Sequence, residues 1–342
     1  MSWSSIASNH MTDACCQPSR EPSVESPSPE AVPSTRTGNL QPDQRRAIKR
    51  SETVRIRATE FQMGTEDAAG FPADGEGPVR DVRVDGFRID ATAVTNREFA
   101  TFVEATNYRT DAETYGWSYV FHLFLSRETL HRTPQRPDQT PWWVPVTGAS
   151  WEAPEGPNSG VDERLEHPVV HISWQDAAAY CAWAGTRLPT EAEWELAARG
   201  GLEQQRFPWG NKLTPKSEHR CNIWQGQFPD VNTAADGWVS TAPANAYKPN
   251  GFGLYNVAGN VWEWCNDWFS PTHHITADPN NPLGPEHGQR RLLRGGSYLC
   301  HRSYCNRYRV AARSSNTPDS SSGNLGFRCV YDSPHFATEL TP

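Results

Sequence analysis

From Gly200 to Tyr331 the chain is crowded with Gly, Pro, Asn and Trp, and its apolar runs are short. That texture constrains the fold more than any other feature. It excludes a bundle of long amphipathic helices. No βαβ alternation appears, and nothing recurs at a period of about 20–50 residues. Irregular backbone of this kind must find internal partners for its N–H and C=O groups. Indole N–H groups and bound cations are candidates. Of the 14 Trp, all but Trp3 lie after residue 110, so the indoles belong to the folded part.

Regular elements are few. Val54 to Met63 alternates and stops at Gly64, which predicts one strand, with an antiparallel partner around Val82, Val84 and Ile89. Capping boxes predict three helices. Thr95 pairs with Glu98 ahead of Phe99, Phe102 and Val103. Ser173 pairs with Asp176 and opens an Ala-rich helix that stops at Gly185. Thr190 pairs with Glu193, after Pro189, and opens a helix ending at Gly200-Gly201. The expected class is α+β, a single compact domain with little regular secondary structure.

With 342 residues the chain can bury a sizeable core. A net charge of −8 argues against bulk nucleic-acid binding. Mean hydropathy is −0.71, and no run approaches the ~18 apolar residues of a membrane span. Residues 1–51 read as a disordered tail, because Ser19 to Arg36 is Ser, Pro and Glu with almost nothing to bury. The folded domain is expected over 52–332, and 333–342 as a short extension. The tail lacks the apolar core of a secretory signal, and no Asn-x-Ser/Thr occurs. A cytoplasmic location is therefore expected.

The most chemically loaded stretch is Arg294 to Arg313. Cys300 and Cys305 are separated by four residues, among Arg294, His301, Arg302, Arg307, Arg309 and Arg313. Cationic neighbours raise a thiol's thiolate fraction. Paired soft thiolates prefer Cu(I) or zinc, and without third and fourth ligands at metal-like spacing a closed zinc site is disfavoured. A two-coordinate soft ion, a redox dithiol and two unrelated buried thiols all stay open. An oxygen-rich set runs from Asn222 to Asp236 and Trp238, and again from Asn256 to Glu263. Carboxylates, amides and carbonyls in Gly-rich turns suit Ca²⁺, although Asn, Asp and Gly are also ordinary turn residues. His167 and His171 flank Pro168 and a β-branched run, which predicts a strand holding core or surface histidines.

Five segments carry a resemblance. Leu188-Pro-Thr-Glu-Ala-Glu-Trp-Glu195, Phe207-Pro-Trp-Gly210, Gly253-Leu-Tyr-Asn-Val-Ala-Gly-Asn-Val-Trp-Glu-Trp264, Arg294-Gly-Gly-Ser297 and Asn324-Leu-Gly-Phe-Arg328 resemble the sulfatase-modifying factor family. The run from Gly295 to Arg313, with Ser314 to Ser322, is similar to its formylglycine-generating members. The resemblance implies a fold related to C-type lectins. It implies an oxidase that uses O₂ to convert a cysteine in the C-x-P-x-R motif of an unfolded or nascent sulfatase to Cα-formylglycine. It implies Cu(I) on Cys300 and Cys305, with the client thiolate as third sulfur, and Ser297 and Trp262 beside the O₂ pocket. Two calcium sites are implied, one from Asn222, Ile223, Asp236 and Trp238, the other from Asn256, Gly259, Val261 and Glu263. Ser321 and Asn324 are implied to line the client cleft. A client Arg calls for a carboxylate, sought between Asp111 and Glu163. No nucleic acid, membrane or partner subunit is expected.

Cys181 and Cys329 occupy positions where secreted relatives carry a disulfide, and read here as neighbouring thiols that are bridged or not. Alternative readings are a non-catalytic lectin-like binding module, an iron-dependent sulfoxide synthase relative, and a metal-free thiol–disulfide exchange protein.

Overall fold

The computed structural model describes residues 17–20 and 52–331. The strands are short and their pairings long-range. β1 (Thr53–Ile56) is followed by β2 (Thr59–Met63), β3 (Arg80–Val84) and β4 (Phe87–Asp90). The alternating run Val54 to Met63 is thus two strands. It breaks at Arg57-Ala58, and each half takes its own antiparallel partner, β1 with β4 and β2 with β3. Alternation continues through the break, so nothing in the pattern marks it.

Helix α1 (Asn96–Thr106) begins at the Thr95–Glu98 capping box. Helix α2 (Asp111–Tyr115) begins at a further box, Thr110 with Glu113. Then come β5 (Trp117–Phe121), α3 (Arg127–Arg132) and β6 (Trp143–Thr147). Helices α4 (Trp174–Ala184) and α5 (Glu191–Arg199) start at the boxes of Ser173 and Thr190 and stop at Gly185 and Gly200, both left-handed. In each box the side-chain oxygens satisfy N–H groups that the first turn leaves open. Between His167 and Ile172 there is no strand. Val169 N–H donates to Val94 O and His171 N–H to Ser322 O, both loop partners.

β7 (Gly226–Gln227) and β8 (Val231–Asn232) form a small hairpin. β9 (Trp262–Trp268), β10 (Arg291–Arg294), β11 (Ser314–Asn316) and β12 (Leu325–Gly326) form a four-stranded sheet in the order β11-β10-β9-β12, with β12 parallel to β9. β13 (Val330–Tyr331) returns to the first sheet beside β4. Trp262, Trp264, Phe327, Cys300 and Cys305 share one buried cluster with Phe99 and Tyr180. Trp194, Val257 and Leu292 fill a second. The result is one domain of mixed short helices and sheets. Of the stretch read as a disordered tail, Gln17–Arg20 depart from that expectation and are largely buried. The rest of 1–51, and 332–342, lie outside the described residues.

Candidate active site

The site is built on the connection from β10 to β11. Gly295 and Gly296 have φ of 93° and 74°. A Cβ on Gly296 would lie 3.0 Å from the backbone of Arg307 and Tyr308, so this turn takes glycine alone. Two tight turns follow. Cys300 N–H donates to Ser297 O at 2.9 Å, and Cys305 N–H donates to His301 O at 2.8 Å. They bring the sulfurs of Cys300 and Cys305 to 3.3 Å. A disulfide requires about 2.05 Å, so these are two separate sulfur atoms, both fully buried.

Ser297 N–H points at Cys300 Sγ, 3.4 Å away. Ser297 Oγ accepts from Asn324 Nδ2 at 2.9 Å. Trp262 packs in the same apolar cluster as both cysteines, and its backbone N–H donates to Asn324 O at 2.9 Å. The structure therefore gathers Cys300, Cys305, Ser297, Trp262 and Asn324 at one place. Among the described residues no three His, Cys, Asp or Glu side chains could hold a metal together. The pair is a two-sulfur site, unlike a closed tetrahedral one.

The arginines do less for the sulfurs than their sequence spacing suggests. Arg294 pairs with Glu191 and Glu195 on α5, Arg313 with Glu191, and Arg309 with Glu76. Their carboxylates stand 99 or more residues away in sequence. They fasten the loop to α5 and to the β2–β3 connection. Arg307 pairs with Asp74 and also reaches the site, with Nη1 3.9 Å from Cys305 Sγ.

A groove leads away from the pair, and Gln17–Arg20 lie in it. Gln17 Nε2 donates to Asn324 Oδ1 at 3.3 Å. Asn316 Nδ2 donates to Pro18 O at 3.0 Å, and Ser19 Oγ donates to Asn316 Oδ1 at 2.7 Å. Arg20 donates from N–H to Ser320 Oγ at 2.8 Å, and from Nη2 to Trp117 O at 2.7 Å and Ser321 Oγ at 3.1 Å. Its guanidinium stacks 4.0 Å from the ring centre of Trp117 and 4.3 Å from that of Tyr115. Burial lowers Arg20 from its ordinary value, and the charges of Asp319 and Asp111 oppose that. Behind the groove, Ser321 Oγ meets Ser118 Oγ, and Ser118 meets His171 Nδ1, each at 2.8 Å. Burial pulls His171 down to about 4, so it sits there neutral. Ser321 and Asn324 each bond to this segment, through Arg20 and Gln17. Asn316, Trp117 and Asp319 carry no sequence signal of their own, since only the fold brings α2, β5 and β11 to one edge.

The oxygen-rich residues fall into two neighbouring loops. Asp236 accepts from Ile223 N–H at 3.0 Å and from Trp238 N–H at 3.3 Å. Burial raises it from the ordinary carboxylate value, and Gln225 Nε2 donates both to it, at 3.4 Å, and to Ile223 O, at 3.0 Å. Asn222 Nδ2 donates to Ser240 O at 2.8 Å. A largely buried carboxylate gathered with the Ile223 carbonyl around one amide nitrogen fits a hard cation. In the second set, Asn256 Oδ1 is buried with no partner. Gly259 passes so close to Asn222 that a Cβ would lie 2.2 Å from its carbonyl oxygen. Val261 packs against Ala93 and Val170. Glu263 is already engaged: Arg328 donates to both its oxygens, at 2.6 and 2.7 Å, and Trp194 Nε1 to one of them at 2.7 Å. Only its remaining lone pairs can serve a cation. The second set fits less well than the first.

Residues 38–333 match the model of the "Sulfatase-modifying factor enzyme 1-like domain". The match begins within the stretch read as tail. A formylglycine-generating enzyme of Thermomonospora curvata is 61% identical over 82% of this chain and 93% of its own length. A formylglycine-generating enzyme of Mus musculus is 54% identical over 84% of this chain and 77% of its own. Among solved structures, PvdO from Pseudomonas aeruginosa superposes with a TM-score of 0.61 at 24% identity, over 83% of this chain and 95% of that one, a likeness of fold. By sequence and by domain, the chain belongs to the sulfatase-modifying factor family.

Proposed function

We propose that the chain oxidises a cysteine within C-x-P-x-R of a sulfatase polypeptide to Cα-formylglycine, and so activates the sulfatase, with O₂ as electron acceptor and Cu(I) held by Cys300 and Cys305. The observation that carries this reading is the pair of buried sulfurs 3.3 Å apart. Two soft donors, with no third His, Cys, Asp or Glu beside them among the described residues, suit a monovalent soft ion. Bound there, Cu(I) supplies one-electron chemistry with O₂ and room for the client's own thiolate.

The chain's residues do the rest. Ser297 N–H steadies negative charge on Cys300, and Arg307 does so at Cys305. Asn324 holds the Ser297 hydroxyl in place and meets the side chain of the client residue that follows the target cysteine. Trp262 and the surrounding cluster exclude water. The groove from Asn316 to Ser321 takes the Pro-x-Arg part. We include calcium in the first oxygen-rich loop as a structural ion, and extend it to the second. The unbridged Cys181 and Cys329, 3.6 Å apart, support a reducing compartment, the cytoplasm. The short strands and Gly- and Asn-rich loops support the lectin-related topology.

The test is an O₂-electrode assay with a C-x-P-x-R peptide, with and without copper, read by mass spectrometry. The expected result is O₂ uptake and peptide aldehyde only with copper. A thiol–disulfide exchange protein would act on the peptide equally well without O₂.

A further inference from the structure

Gln17–Arg20 occupy the groove as a bound peptide does. Recognition is by side chain: the Arg20 guanidinium is sandwiched by Tyr115 and Trp117 and bonded to Ser321. The direction is set as well. From Arg20 towards the N-terminus the contacts pass from Ser320 to Asn316 and then to Asn324. Asn324 is bonded to Ser297, whose N–H faces Cys300 Sγ. The segment thus runs towards the sulfur pair. The next residue in the chain is Cys16, and Cys16-Gln17-Pro18-Ser19-Arg20 has the form C-x-P-x-R.

We propose that residues 16–20 are an internal client, bound in cis, and that the enzyme converts its own Cys16 to formylglycine. This rests on the function proposed above. The Cβ–S bond of Cys16 breaks and a C=O bond forms. Sulfur leaves as H₂S, and O₂ is reduced with two electrons from Cβ and two from an external thiol. The sum is RCH₂SH + O₂ + 2 R′SH → RCHO + H₂S + H₂O + R′SSR′. Tethering gives the tail a local concentration in the millimolar range, so it also competes with clients in trans.

The copper-loaded full-length protein is incubated in air with a thiol reductant, and the peptide containing Cys16 is mapped by mass spectrometry and with an aminooxy probe. Aldehyde at Cys16, forming at a rate independent of protein concentration, is expected. Arg20→Ala should lower that conversion at least tenfold while leaving conversion of an added C-x-P-x-R peptide equal to or faster than in the parent. A thiol retained at Cys16 in protein that converts the added peptide overturns this proposal and spares the proposed function. Failure to convert either one overturns both.

Discussion

Arg307 sets its Nη1 3.9 Å from the sulfur of Cys305 while its other nitrogens hold Asp74. A cation there favours the thiolate. Arg307→Gln should therefore raise the midpoint of thiolate formation, read from ultraviolet thiolate absorbance. Activity should fall at neutral pH and recover as the pH rises. Arg307→Lys should restore most of the shift. An unchanged midpoint would remove Arg307 from the chemistry.

Asn324 is bonded to Gln17 on one side and to Ser297, beside Cys300, on the other. Asn324→Ala should leave Ser297 Oγ with only the longer bond from Leu299 N–H, at 3.3 Å, and slow aldehyde formation about tenfold, the equivalent of one buried hydrogen bond of ~1–2 kcal/mol. Copper binding should be unaffected. Single-turnover kinetics beside a copper titration would separate the two.

Glu195 is buried between Arg294 and Arg199. Burial raises its pKa, the two guanidinium groups lower it more, and the outcome is about 2. A carboxylate depressed in the folded state stabilises the fold above its unfolded value of about 4.3, and that contribution is lost as the pH falls towards 2. Glu195→Gln leaves two buried cations under-compensated and should cost about 3–5 kcal/mol at pH 7. The gap between variant and parent should narrow between about pH 4 and pH 2 in denaturant titrations. A gap of constant size would contradict the ion-pair assignment.

Calcium should raise the melting temperature, and a chelator should lower it. At a hundredfold excess over Kd the gain is about 2.7 kcal/mol. Asp236→Asn should abolish most of the calcium-dependent shift without moving the melting temperature of chelated protein by a similar amount. If Asp236→Asn retained the full shift, the ion would lie elsewhere.

Cys181 and Cys329 sit 3.6 Å apart, both buried. Burial pushes Cys329 well above the ordinary thiol range, so it is slow to react in the folded state. Alkylation of protein unfolded without reductant should label both residues. A disulfide-linked peptide pair joining them would point to an oxidising compartment.

Legibility in the sequence followed the range of the interaction. The boxes at Thr95, Ser173 and Thr190 were readable because cap and N3 residue are three positions apart. The box at Thr110 carries the same signal, masked by the shortness of its helix. The sulfur pair was visible as a motif, but the role of its arginines was not. Arg307 and Asp74 are separated by 233 residues, and no local pattern announces such a partner. Glu263 looked available for calcium because Arg328 lies 65 residues further on. The internal C-x-P-x-R was written in the tail from the start, hidden by a composition that reads as disorder.

The most direct measurement is Cu(I) competition against a chelator of known affinity, run in parallel with aldehyde formation, for the parent, Cys300→Ser and Cys305→Ser. One copper per chain and full activity are predicted for the parent, with both lost in either variant. Undiminished aldehyde formation in either variant, or in protein stripped of copper, would contradict the account.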